Sequence, residues 1–139
     1  MDEPKKIIEL TMASDPALLA MMRCVVKHSS EKAGCNTEMA KNMVIAVNEA
    51  CMNIIQHAYG NDYSQSLSIS IFEDRNKIVF RLVDHGKAID FKKIERRNLD
   101  EVRPGGLGLP MIETIMDKVE FSRTPDGKTN VLEMVKITH

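Results

Sequence analysis

The sequence predicts an α+β domain, a mixed, mostly antiparallel sheet with helices packed on one face, in the order β-α-α-β-β-loop-α-β-β. Residues 67–71 and 77–83 alternate apolar and polar side chains on either side of a polar turn at 73–76, the pattern of a β-hairpin with one face in a core. Two longer segments before that hairpin repeat apolar residues at helical spacing. At 139 residues with 43% hydrophobic content, the chain is the size of a single domain, 1–139, with little left over for a second.

The elements follow in order. Residues 7–12 are short, apolar and bounded by Pro4 and by Ser14-Asp15-Pro16, as an opening strand would be. Ser14 or Asp15 can cap a helix with Pro16 at its first position. Leu18, Leu19, Met22, Val25 and Val26 then recur at helical spacing through Ser30, and Gly34 supplies a stop. A second helix starts at Thr37, and Met39, Met43, Ala46, Val47, Ala50, Ile54 and Ala58 fall on one arc of it before an end near residues 59–62. After the hairpin, periodicity fails from His85 to Pro104 while charge rises. Loops this long inside a compact domain are usually functional or disordered. Gly105-Gly106-Leu107-Gly108-Leu109-Pro110 leads into a short helix at 111–116, and residues 119–122 and 131–137 form a closing strand pair around Thr124-Pro125-Asp126-Gly127.

Composition excludes several classes. Cys24, Cys35 and Cys51 are odd in number and never spaced C-x-x-C, so they read as reduced core or near-core thiols. His28, His57, His85 and His139 form no H-x-x-x-H pair, leaving room only for a hard cation held by oxygens. A net charge of -1 gives no bulk drive toward nucleic acid or an anionic membrane. No apolar run approaches the ~20 residues of a membrane span, and no signal-peptide core follows the N-terminus, so a cytoplasmic protein is expected.

Polar groups are concentrated at particular places. Glu49, Asn53 and His57 are spaced i, i+4, i+8 along the edge of the apolar arc. At such a border a carboxylate can accept a proton and an amide oxygen can ligate Mg²⁺, although solvent-edge residues making i, i+4 hydrogen bonds share that spacing. Asp84-His85-Gly86 ends the hairpin; its carboxylate could accept from an exocyclic amine and its glycine could admit a ring, or the three could form an ordinary turn. Gly105-Gly106-x-Gly108 before a helix can bind an anion through exposed amides, or serve as a linker. It is neither a Walker A loop nor a dinucleotide fingerprint.

Together, in this order and with Gly127-Lys128-Thr129 before the last strand, these motifs resemble the GHKL ATPase superfamily of gyrase, heat-shock chaperone and histidine-kinase ATP domains, whose Bergerat fold binds ATP under a lid. The resemblance covers nearly the whole chain. The N-E-A-x-x-N-I-I-x-H-A-Y wording of residues 48–59 and the D-K-V-E-F ending of the third helix, residues 117–121, look most like the anti-sigma factor serine kinases of bacterial partner-switching systems. The resemblance implies that Glu49 is the general base and Asn53 the Mg²⁺ ligand. It implies that Asp84 reads the adenine amino group, with Gly86 beneath the ring. Gly106, Leu107 and Gly108 would line the phosphates, Thr129 would stand behind the adenine, and His57 and Arg103 would reach phosphates. The lid would span about 85–104.

The implied activity is ATP-dependent serine/threonine phosphorylation of an anti-sigma factor antagonist, with sequestration of a sigma factor by a homodimer that touches neither nucleic acid nor membrane. One departure stands out: Lys87-Ala88 replaces the second glycine of D-x-G-x-G. Alanine does not take positive φ cheaply, so a stiffer hinge and a non-catalytic, nucleotide-sensing module form the alternative expectation.

Overall fold

The opening strand and both long helices form where the spacing puts them. In a computed structural model, which describes residues 3–89 and 108–138, β1 spans Lys5–Ala13. Asp15 caps a 3-10 turn at Pro16–Leu18, accepting from the Ala17 N–H at 2.9 Å. From that turn α1 (Leu19–Lys32) continues, and the chain leaves it through Gly34 at a φ of 100°. Asn36 caps α2 (Thr37–Asn53) by accepting from the Met39 N–H at 2.8 Å.

The second helix does not end as an α-helix. Ile54–Ala58 form a π-helical turn, in which the Tyr59 N–H reaches the Ile54 carbonyl, five residues back, at 3.0 Å. Single π turns inside helices recur at functional sites. A wider turn rotates each residue less, so the angular drift that ordinary helical spacing imposes between Asn53 and His57 is largely cancelled.

Five strands form one sheet in the order β1-β2-β3-β5-β4, from β2 (Ser66–Glu73), β3 (Lys77–Asp84), β4 (Lys118–Arg123) and β5 (Asn130–Ile137) beside β1. Each pairing is antiparallel, which narrows the mixed sheet expected from the sequence. Asp74 closes the β2–β3 turn by accepting from the N–H groups of Asn76 and Lys77 at 2.8 and 3.0 Å. The strands present Leu67, Ile69 and Ile71, then Ile78, Phe80 and Leu82, then Leu132 and Met134 to one buried face. Met22, Val26, Met43, Ala46, Val47, Ala50, Ile54 and Ile55 from the helices complete the same core. The third helix, α3 (Gly108–Ile115), packs on α2 and β4.

Three expectations are corrected in detail. The third helix begins at Gly108 with Pro110 in its first turn, where proline's missing N–H costs nothing. Residues 118–121 of the D-K-V-E-F stretch, read both as the ending of the third helix and, from 119, as a closing strand, are strand: Val119 and Phe121 alternate with the exposed Lys118 and Glu120, and the Asp117 N–H bonds the Val135 carbonyl at 2.9 Å. Cys35 and Cys51 are buried, with burial pushing the Cys51 thiol up to about 12, but Cys24 lies exposed on the outer side of α1. Among the described residues no helix is long and apolar enough to cross a membrane.

Candidate functional site

At one end of the core face the alternation changes chemistry. On β3 the buried series Ile78, Phe80, Leu82 is continued, at the same parity, by Asp84, and on β5 the series Leu132, Met134 is preceded by Asn130. Asp84 pairs in register with Asn130, and Asn130 with Arg123 on β4. Facing partners in antiparallel strands share a side of the sheet, so three polar side chains lie in one row at the end of the face that holds the core.

Asp84 is 2% exposed, and an ionised carboxylate so placed needs compensation. Its Oδ1 accepts from the Gly86 N–H at 2.9 Å and from Asn130 Nδ2 at 2.8 Å. Among the described residues both bonds fall on that one oxygen. Burial holds the Asp84 carboxyl above the usual carboxylate range, opposed by the bonds from Asn130 and Gly86 and by the charges of His85 and Arg123.

The π turn meets this strand end directly. The Lys87 N–H donates to the Ala58 carbonyl at 3.0 Å, and a Cβ built on Gly86 would stand 2.4 Å from that same carbonyl oxygen. Glycine is therefore required here by close backbone approach. Tyr59, next after the turn, donates its hydroxyl hydrogen to the Ser66 carbonyl at 2.6 Å and accepts from the His85 N–H at 2.8 Å. His85 Nδ1 lies 3.1 Å from Thr129 Oγ1, and the Thr129 N–H donates to Thr124 Oγ1 at 3.2 Å. Helix end, strand end and β4–β5 hairpin thus share one hydrogen-bonded junction, which brings Asp84, Gly86 and Thr129 together.

Glu49 and Asn53 stand on the last turns of α2, Glu49 half-buried and Asn53 buried; His57 follows, half-buried, within the π turn. Among the described residues Asn53 Nδ2 is buried without a hydrogen-bond partner, a condition that marks a site needing explanation. No group of three or more His, Cys, Asp or Glu suited to a metal occurs among the described residues. A single amide oxygen fits Mg²⁺ of the kind that takes most of its ligands from phosphates and water. Gly108 opens α3, whereas Arg103, Gly106, Leu107 and the expected lid beyond residue 89 lie outside the described residues. Ala88 carries no backbone strain: Asn61 has the only positive φ among described residues other than glycine.

Sequence reasoning passed over Asn130, Tyr59 and Ala58. The parity of Asn130 with Leu132 and Met134, a polar residue at a core-face position, is the signal that could have found it. Tyr59 and Ala58 act through a hydroxyl bridge and a backbone carbonyl, which no side-chain pattern announces.

Residues 12–136 match the family described as the histidine kinase-like ATPase domain. The serine-protein kinase RsbW of Bacillus pumilus is 31% identical, in an alignment covering the whole chain and 94% of that protein. The protein of the same name from Bacillus subtilis is 31% identical over 81% of this chain and 75% of its own length. Among solved structures, the RsbU and RsbW domains of Rv1364c from Mycobacterium tuberculosis superpose with a TM-score of 0.66 at 13% identity, over 94% of this chain and 31% of that one. A chain of the SiaB–SiaC complex from Pseudomonas aeruginosa superposes at 0.62 with 11% identity, over 96% of this chain and 91% of that one. At such identities the structural likeness speaks to the fold.

Proposed function

This chain belongs to the histidine kinase-like ATPase domain family and, within it, to the serine-protein kinases, and we propose that the Asp84 junction is the purine end of its ATP site. The observation that carries this reading is the buried Asp84 carboxylate, anchored among the described residues through Oδ1 beside a glycine packed on the helix end. Oδ2 is then the acceptor for an exocyclic amine, and Gly86, by letting the strand end pack on Ala58, holds that carboxylate beside the helix end. Thr129, linked to His85, supplies a hydroxyl at the rear of the same end.

From there α2 leads toward the phosphates. Asn53 would hold Mg²⁺ through its amide oxygen, and the metal when bound would neutralise charge on the phosphates. Glu49, one helical turn earlier, would take the proton of an attacking serine hydroxyl. As that oxygen bonds to the γ-phosphorus, the bond from phosphorus to the β–γ bridging oxygen breaks and ADP departs. His57 and Gly108, with Arg103, Gly106 and Leu107, would contact the phosphates. The acceptor is a small anti-sigma factor antagonist, and the unphosphorylated pathway ends with a sigma factor held by a cytoplasmic homodimer.

The test combines Mg-ATP titration with transfer of radiolabelled phosphate to a candidate antagonist. Glu49→Ala is expected to keep ATP affinity and lose transfer by about a hundredfold or more, and Asn53→Ala to lose Mg²⁺-dependent affinity. Undiminished transfer by Glu49→Ala would overturn its assignment as the base.

A further inference from the structure

Asn130 is 1% exposed and belongs to none of the motifs that pointed to the site. Its surroundings admit one orientation of the amide. Oδ1 accepts from Arg123 Nη1 at 3.0 Å, a group that only donates. Nδ2 faces three acceptors: Asp84 Oδ1 at 2.8 Å, and the carbonyls of Gly86 and Lys87, each at 3.1 Å. Turned over, the amide would set its NH₂ against the guanidinium and its oxygen against three oxygens.

We propose that Asn130 is the specificity-determining positioning residue of the nucleotide site, holding Asp84 as an acceptor whose Oδ2 selects a 6-amino purine over a 6-oxo purine. This rests on the reading of Asp84 given above. One side chain ties the carboxylate to the two carbonyls that follow it, so acceptor and adjoining backbone keep a common geometry. The chemistry depends on which form of the carboxyl the base meets. An ionised carboxylate only accepts, which suits an amine and repels a carbonyl; a protonated one also donates, which suits a 6-oxo group. A donor to Oδ1 favours the ionised form and fixes which oxygen remains for the ligand. Arg123 polarises the same amide from the far side, so the row across β3, β5 and β4 is one directional relay of hydrogen bonds.

The experiment is titration of the full chain, with Mg²⁺, by ATP and by inosine triphosphate, which carries an oxygen in place of the 6-amino group. The native chain is expected to prefer ATP. Asn130→Leu removes the donor in a similar volume and should shrink the ATP-over-ITP affinity ratio by about tenfold or more. Asn130→Asp sets a second carboxyl against Asp84, one of the two then retains a proton, and ITP should gain on ATP. Asn130→Ser, smaller than the native residue, serves if either variant fails to melt cooperatively. A general loosening of the fold would weaken both nucleotides together and leave the ratio unmoved. An unchanged ratio in a folded variant therefore overturns the role of Asn130 alone, whereas a native chain that binds no ATP overturns the reading of Asp84 and this inference with it.

Discussion

Replacing Gly86 by alanine tests the close approach of strand end to helix end. The added Cβ would lie 2.4 Å from the Ala58 carbonyl oxygen, 2.7 Å from its carbon and 2.8 Å from Ala58 Cβ. Comfortable contact needs about 3.5 Å, so the strand end must withdraw from the helix end by roughly 1 Å. That withdrawal pulls apart the 3.0 Å bond from the Lys87 N–H to the same carbonyl. Overpacking costs about 1–3 kcal/mol and the lost bond about 1 kcal/mol, together about 2–4 kcal/mol. For a domain of this size the melting temperature should fall by roughly 10 °C, and ATP affinity should fall with it because Asp84 and its backbone move. Gly60→Ala is the control: φ there is 58° but nothing lies within 4 Å of the new Cβ, so only backbone strain of about 1 kcal/mol is expected. Thermal unfolding followed by circular dichroism reads both. If Gly86→Ala melts no lower than Gly60→Ala, the packing of strand end on π turn is refuted.

Two further outcomes follow from buried and exposed carboxylates. Asp84 has a folded-state pKa raised by burial, so its contribution to stability is present at low pH and is lost as pH rises through that raised value. Asp84→Asn should therefore melt no lower than the native chain at pH 7 while losing ATP affinity, and a clear fall in melting temperature would contradict it. Asp62 behaves in the opposite sense: bonds from Gln65 and Ser64 hold its carboxyl down to about 2, so its contribution is present above the ordinary value and disappears as pH falls through about 2. Between roughly pH 4 and 2 the native melting temperature should drop more steeply than that of Asp62→Asn, and parallel curves would remove Asp62 from the account.

The legibility of the fold was uneven, for identifiable reasons. The hairpin of β2 and β3 announced itself because one face is buried and the other is not, which forces alternation on the sequence. β4 was legible as a strand over 119–122, but its six residues carry only two half-buried apolar side chains, Val119 and Phe121, so its start overlapped the reading of the same stretch as a helix ending. The π turn was illegible because its residues, Ile54–Ala58, are as suitable for an α-helix, and what it meets, the Lys87 N–H just beyond β3, is distant along the chain. Ala88 looked like a strained substitution until the backbone proved to need no positive φ there.

What the sequence determined by itself is the order of elements and the kinds of chemistry they carry, because periodicity and residue type are local properties of the chain. Asp84 and Gly86 could be read as a pair, being two residues apart. Tertiary structure alone decided that Asp84 is nearly dry, that its Oδ1 accepts from Asn130, 46 residues away, and that Ala58 makes Gly86 obligatory. Those facts depend on strand register and on the closeness of two backbones, distances that no spacing along one chain contains.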